Sequence, residues 1–415
     1  MALTTTTFNG SFTMHPEAAK LPPRLQRWGG FLAVSFALGL GFATSSLPTP
    51  LYPVYQALWH LPPSALTYIY ALYMVGVLFA LLCFGRLSDT IGRYAVICLS
   101  LSLITAGLVL SGVASSINTL LIARFIIGFA NGLLTTAGTL ALVDAHPNQD
   151  RRIASITTSA AIALGVGAGP LLGGLLAQTG FAPLRLAYFV VAALALGNLY
   201  LTWRCRHRLR QQTGVRARLS ISPKLALPAP QTRTPFLLAS ISAFLMFSTG
   251  SLLASLIPSF LYDLLPWQGP AVPGVAFLVM ALASATTQFS QRNLHPAKGL
   301  KLGLLALVMF LGAVSAGVAT DSIFAFAACM VLAGVGQGLC FMAATMIAAQ
   351  NADEHRRSAN MATYFSIAYI GATIPVIVVG QLADLWGMTA AILVFCALAA
   401  TALCVLIYQV RKLMR

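Results

Sequence analysis

Arg124 is the one charged residue placed well inside a long apolar run of this sequence, where it opens Arg124-Phe125-Ile126-Ile127-Gly128-Phe129-Ala130-Asn131-Gly132. On a helix Arg124, Gly128, Asn131 and Thr135 share one stripe. An arginine at bilayer depth costs about 2.5–3.5 kcal/mol on insertion scales, so it needs a polar cavity or a partner unless it snorkels to the nearby end of the run. The chemistry it offers is attraction of an anionic group in a low-dielectric hollow. The nine carboxylates (Glu17, Asp89, Asp144, Asp150, Asp263, Asp321, Asp353, Glu354 and Asp384) all fall in loops or at run ends, and so do the six histidines. No H-E-x-x-H, no pair of carboxylates on one run and no G-x-x-x-x-G-K-[ST] occurs. The seven cysteines include no C-x-x-C pair, and six lie in apolar runs, where they read as small hydrophobes. These residues suit binding and passage of a molecule, not its chemical conversion. No enzyme activity, metal site or cofactor is expected.

The elements that must hold Arg124 follow from composition. Of 415 residues 58% are hydrophobic and 8% charged, and mean hydropathy is +0.83, which excludes a soluble globular protein. Apolar runs are predicted near 29–54, 64–85, 94–113, 117–143, 153–178 and 182–203, then 235–263, 270–290, 299–319, 322–349, 358–383 and 387–410. Each is long enough to cross a bilayer as a helix, so the fold class is an all-α membrane protein with twelve spans. The expected organisation is a tail at 1–28, a six-helix bundle at 29–203, a basic linker at 204–234, a second bundle at 235–410 and a tail at 411–415. A net charge of +16 suggests nucleic acid until the charges are located, since they cluster between runs and along no single face. With the N-terminus inside, 23 of the 25 Lys and Arg fall on the inner side, so both termini are expected in the cytoplasm of a cell, with the bacterial inner membrane as the setting.

The two sets of six runs resemble each other. At an offset of 205, Phe42, Thr44, Ser46, Leu47, Leu51 and Pro53 fall on Phe247, Thr249, Ser251, Leu252, Leu256 and Pro258. At 206, Gly128-x-x-Asn131-Gly132 falls on Gly334-x-x-Gln337-Gly338. Pro170 meets Pro375 at 205. Matching bundles of this kind are how many secondary transporters build alternating access around a site at mid-depth.

Three segments carry a family resemblance. Gly85-Arg86-Leu87-Ser88-Asp89-Thr90-Ile91-Gly92-Arg93-Tyr94 resembles the loop signature G-x-L-x-D-R-x-G-R-R of the major facilitator superfamily, with Gly85, Leu87, Asp89, Gly92 and Arg93 in place and Thr90 and Tyr94 departing from it. Arg124 to Gly128 is similar to that family's R-x-x-x-G in span 4. Gly165-Val166-Gly167-Ala168-Gly169-Pro170-Leu171-Leu172-Gly173-Gly174 matches G-x-x-x-G-P-x-x-G-G, the span-5 pattern of its exporters and antiporters. Pro48-Thr49-Pro50 loosely resembles a span-1 element of multidrug antiporters. Residues Gln288 to Gly303 keep no acidic turn motif.

The resemblance implies the major facilitator fold and a secondary exporter of a small amphipathic or anionic compound. It implies that Asp89 pairs with the start of span 11, near Ser358–Met361, and latches the outward-open state. Gly165, Gly169, Gly173 and Gly174 would form a groove for a neighbouring helix, with Pro170 favouring a kink. Spans 1, 4, 7 and 10 would line the cavity, which makes Arg124, Asn131, Phe42, Thr44, Ser46, Phe247, Thr249, Ser251, Gln337 and Phe341 the substrate candidates. Proton coupling would need a carboxylate, and Asp144 at the inner end of span 4 is the candidate, although an ion pair with Arg151 or Arg152 accounts for it more simply. Facilitated efflux, anion-coupled exchange and protonation of the substrate stay open beside proton antiport. An uptake carrier or uniporter for an organic anion is the alternative, and a non-transporting membrane protein a further one. The expected partners are a small-molecule substrate and the bilayer, without nucleic acid and with the chain acting as a monomer.

Overall fold

The computed structural model describes residues 23–148, 150–206, 209, 225–256, 258–259, 269–291, 293–320 and 323–413. Glu17, Asp263, Asp321, the tail up to residue 22 and most of the linker lie outside them. Among the described residues there are helices and turns and no strands. Among the described residues twelve helices are long and apolar enough to cross a bilayer. They are numbered in chain order as spans 1 to 6 (Trp28–Trp59, Pro63–Phe84, Arg93–Val113, Ile117–Ala145, Ile153–Gln178, Leu186–Arg204) and spans 7 to 12 (Pro230–Ser255, Ala271–Ser290, Pro296–Gly317, Ala327–Gln350, Ala359–Trp386, Met388–Lys412). Large apolar side chains such as Leu164, Leu398 and Val405 remain exposed on them, which suits contact with lipid.

Span 1 differs from its predicted course. It runs on to Trp59, beyond the expected end at 54, because it contains a break: helix to Ser46, a 3-10 turn at Thr49–Leu51 and helix again at Tyr52–Trp59. The loop after span 2 is a short helix, Leu87–Ile91, closed at Gly92 with φ 91°, a backbone angle that a side chain would strain.

Two hydrophobic cores divide the molecule. One gathers buried residues from Phe31 to Leu209, the other from Phe236 to Val410. Within each, the same helix pairs touch: span 1 with 4 and 5, span 2 with 4, span 3 with 4 and 6, and correspondingly span 7 with 10 and 11, span 8 with 10, span 9 with 10 and 12. The repeat reappears at the level of single glycines. A side chain on Gly128 would strike the Tyr73 carbonyl and one on Gly132 the Val77 carbonyl; in the other bundle Gly334 faces the Met280 carbonyl and Gly338 the Ser284 carbonyl. Likewise Gly165 lies on the Gly39 carbonyl, and Gly371 on the Phe244 carbonyl. Close backbone approach replaces the hydrophobic driving force that lipid removes.

Trp28 packs on His146, and Gly29 approaches Cys205, so the start of span 1 and the ends of spans 4 and 6 share one face, termed inner here. Odd-numbered spans start from it. The two bundles meet through span 5 on span 8 and span 2 on span 11. The span-5 contacts run from Gly167 against Leu278 to Gly174 against the Pro270 carbonyl, along the outer half of both helices. Hydrogen bonds between the bundles join Ser64 to Asp384 and Tyr68 to Gln381, also at the outer ends. The bundles are closed against each other at the outer face.

Candidate functional site

The break in span 1 is dictated by sequence. Pro48 and Pro50 have no N–H to give to the carbonyls of Thr44 and Ser46, so the helix ends and leaves its negative end inside the bundle. Arg124 of span 4 meets that end. Its Nη1 donates to the Thr44 carbonyl (3.2 Å), its Nη2 to the Ser45 carbonyl (2.9 Å) and its Nε to the Ile69 carbonyl of span 2 (3.4 Å). The guanidinium carbon also lies 4.5 Å from the centre of the Tyr73 ring. Arg124 is 0% exposed. Its polar partner is therefore a broken helix end, and in this conformation the guanidinium is not open to a cavity.

Asn131, two turns along, extends the same network. Its Nδ2 donates to the Gly41 carbonyl (2.9 Å), Thr44 Oγ1 (3.1 Å) and Tyr73 OH (3.2 Å), while its Oδ1 is buried without a hydrogen-bond partner. Gly41 is required here, because a Cβ would come within 2.6 Å of that oxygen. Ser46 Oγ donates to the Val166 carbonyl of span 5 (3.0 Å), and half-buried Phe42 lies beside Gly165.

The second bundle treats the matching positions differently. Thr249 and Ser251 are fully buried, and their hydroxyls donate back to the carbonyls of Met246 and Ser248 in their own helix, both at 2.8 Å. The half-buried Gln337 amide sits beside Gly250 and 4.0 Å from the Met280 sulfur. Phe341 is 38% exposed, and half-buried Phe247 holds its ring 5.5 Å from that of Tyr369. So Arg124, Asn131 and Thr44 come together, Thr249 and Ser251 turn away, and Phe42, Ser46, Phe247, Gln337 and Phe341 keep accessible surface. Sequence reasoning passed over Tyr73 and Tyr369. They stand on spans 2 and 11, which a lining drawn from spans 1, 4, 7 and 10 leaves out; Tyr369 packs against the core of the opposite bundle.

The span-5 glycines have two faces. Gly165, Gly169 and Gly173 lie on the carbonyls of Gly39, Ala43 and Leu47 of span 1, in step at every fourth residue. Gly174 lies on the Pro270 carbonyl of span 8, and Gly274 of span 8 lies on that of Pro170. One helix thus packs against its own bundle on one side and the other bundle on the other.

At the inner end, Asp144 forms an ion pair with Arg93, which also reaches the Leu140 carbonyl (3.3 Å). Arg93 is a partner beyond the expected Arg151 and Arg152: span 3 starts against the end of span 4, and Asp150 caps the start of span 5, its Oδ1 accepting from the Ile153 N–H (3.2 Å). Gly85 precedes the short loop helix that carries Asp89. Asp89 is exposed, and among the described residues no side chain pairs with its carboxylate.

Broken span, paired bundles and glycine seams together define a secondary-transporter fold. Residues 34–374 match the Major Facilitator Superfamily, and the chain belongs to that family. It is 26% identical over 367 residues to the multidrug efflux protein YfmO of Bacillus subtilis, covering 85% of this chain and 86% of that one. It is 29% identical over 164 residues to the efflux pump FUB11 of Gibberella moniliformis, 39% of this chain and 28% of the relative. Among solved structures, a bacterial homologue of the human lysosomal transporter Spinster, inward-facing and occupied, superposes with a TM-score of 0.72 at 16% identity, covering 92% of this chain and 97% of that one. The human organic anion transporter MFSD10 gives 0.63 at 17%, covering 93% and 100%.

Proposed function

We propose that this chain exports a small amphipathic or anionic compound across a bacterial inner membrane by alternating access, as a monomer with both termini in the cytoplasm. The observation that carries the reading is the two-faced glycine seam of span 5. It seats span 5 on span 1 through backbone contacts and sets span 8 of the other bundle on its opposite face through close approaches at Gly167, Gly174 and Gly274, surfaces on which the bundles can roll. The efflux relatives support the outward direction. Residues 29–203 and 235–410 act as the two moving bodies, joined by the basic linker at 204–234, with short tails at 1–28 and 411–415. The inner face is the cytoplasmic one, and cargo enters from it while the outer ends are shut.

In this reading Phe42, Ser46, Phe247, Gln337 and Phe341 touch cargo. Arg124, Asn131 and Thr44 shape the broken segment of span 1 beside it. Thr249 and Ser251 come into contact only if span 7 turns. Asp144 carries the coupling proton if one is carried, and its release from Arg93 is the event to look for. The test is flux of candidate compounds in proteoliposomes, with and without an imposed pH gradient. Outward-directed flux that the gradient accelerates supports antiport. Gradient-independent flux removes Asp144 from the mechanism. Accumulation against a gradient in the inward sense overturns export.

A further inference from the structure

Span 2 begins without a cap of its own. Its N-cap position is Pro62, which offers no side-chain hydrogen bond, and its first residue, Pro63, has no N–H. The first free donor is the Ser64 N–H, and it is satisfied from the other bundle: Asp384 Oδ1, at the outer end of span 11, accepts it at 3.0 Å. A carboxylate at the positive end of a helix is a favourable placement. The same turn of span 11 makes two more contacts. Gln381 Nε2 donates to Tyr68 OH (3.1 Å), and Gly380 admits the Thr67 side chain so closely that a Cβ there would lie 2.7 Å from Thr67 Cγ2. Residues 380, 381 and 384 thus engage 64, 67 and 68, one helical turn on one helical turn. Although it lies at the end of its span, Ser64 is 7% exposed and Thr67 0%, because span 11 covers them.

Span 2 has a carboxylate beyond its other end as well. Asp89 follows the inner end of span 2 and stands exposed without a partner side chain, opposite in position to Asp384, which ends span 11 at the outer face. We propose that Asp384 is a positioning residue of the transport cycle: an outer latch that holds the start of span 2 while the outer face is shut and lets go when it opens. It is not a ligand of cargo. The latch acts on the alternation of the two bundles, so its effect on flux rests on the transport reading, while its effect on geometry does not.

The experiment measures the distance between spin labels at Phe181 and Trp386, both exposed outer-end residues (73% and 60%), in a chain whose seven cysteines are replaced. The parent is expected to show one short distance. Asp384→Ala should add weight at a longer one, raising the open-to-shut ratio of the outer face by about 2- to 5-fold. Asp384→Asn, which keeps an acceptor oxygen and loses the charge, should fall between, and Asp89→Ala should not lengthen the distance. In proteoliposomes Asp384→Ala should raise KM for cargo on the inner side as the inward-open fraction falls, at little change in maximal rate. An unchanged distance distribution in monodisperse Asp384→Ala or Asp384→Asn overturns the latch, as does equal lengthening in Asp89→Ala. The distances need no cargo, so failure of the export reading leaves the latch judged on its own.

Discussion

Span 1 with span 4, and span 7 with span 10, are the same construction carried out twice with one difference. In the first bundle Pro48 and Pro50 break span 1, and Arg124 closes the broken end. In the second, the positions matching the two prolines are Leu253 and Ser255, span 7 runs as one helix from Pro230 to Ser255, and the position matching Arg124 is Met330, 2% exposed. In the first bundle the break at Ser46 and the cation occur together; in the second the helix passes the matching position, Ser251, and Met330 stands where the cation would be. The arginine is thereby explained by what it holds: it answers a helix terminus that two prolines place at bilayer depth.

The largest effect should come from breaking that association. Arg124→Met makes the first bundle copy the second and leaves the carbonyls of Thr44 and Ser45 without donors, each worth about 1–3 kcal/mol when buried. We expect flux to fall more than tenfold and the melting temperature in detergent to drop. Adding Pro48→Ala returns an N–H to the Thr44 carbonyl and should recover part of the lost stability; no recovery in this double-mutant cycle would separate the arginine from the break.

Next in size is Gly169→Leu, whose side chain enters the space of the Ala43 carbonyl. Transport should stop with the chain still inserted in the membrane. The matching position in span 11 is Ile374, 56% exposed, and Ile374→Leu should transport normally. Equal behaviour of the two variants would dissolve the distinction between the seams.

A smaller contrast divides Asn131 from Gln337. Asn131→Leu removes a donor serving three acceptors, so stability should fall by about 1–2 kcal/mol in thermal unfolding. Gln337→Ala should change KM for cargo and leave unfolding nearly unchanged. Smallest of all, Arg185→Ala in the outer loop should match the parent in both flux and melting.

Much of this was legible in the chain because it depends on short-range pattern. Span number follows from run length, and the glycine stripes follow from spacing within one helix, so Gly165, Gly169 and Gly173 could be assigned to a packing groove before any neighbour was known. What they packed against could not. Nothing local says that Arg124 turns toward Thr44 and Ser45, that Asp144 pairs with Arg93 of span 3, or that Tyr369 crosses to the other bundle. Those outcomes depend on the rotation of each helix about its axis and on how two bundles meet. The Ser64–Asp384 bond lies furthest from sequence reading, since 320 residues separate its ends.

The seams also bear on how such a pump can acquire new cargo. Where backbone rests on backbone there is no spare volume, and any added methyl group is resisted on both sides. Phe341, 38% exposed, is not part of those backbone contacts. If the proposed cargo contacts are right, changes in appetite can accumulate there while the bearings of the machine stay as they are.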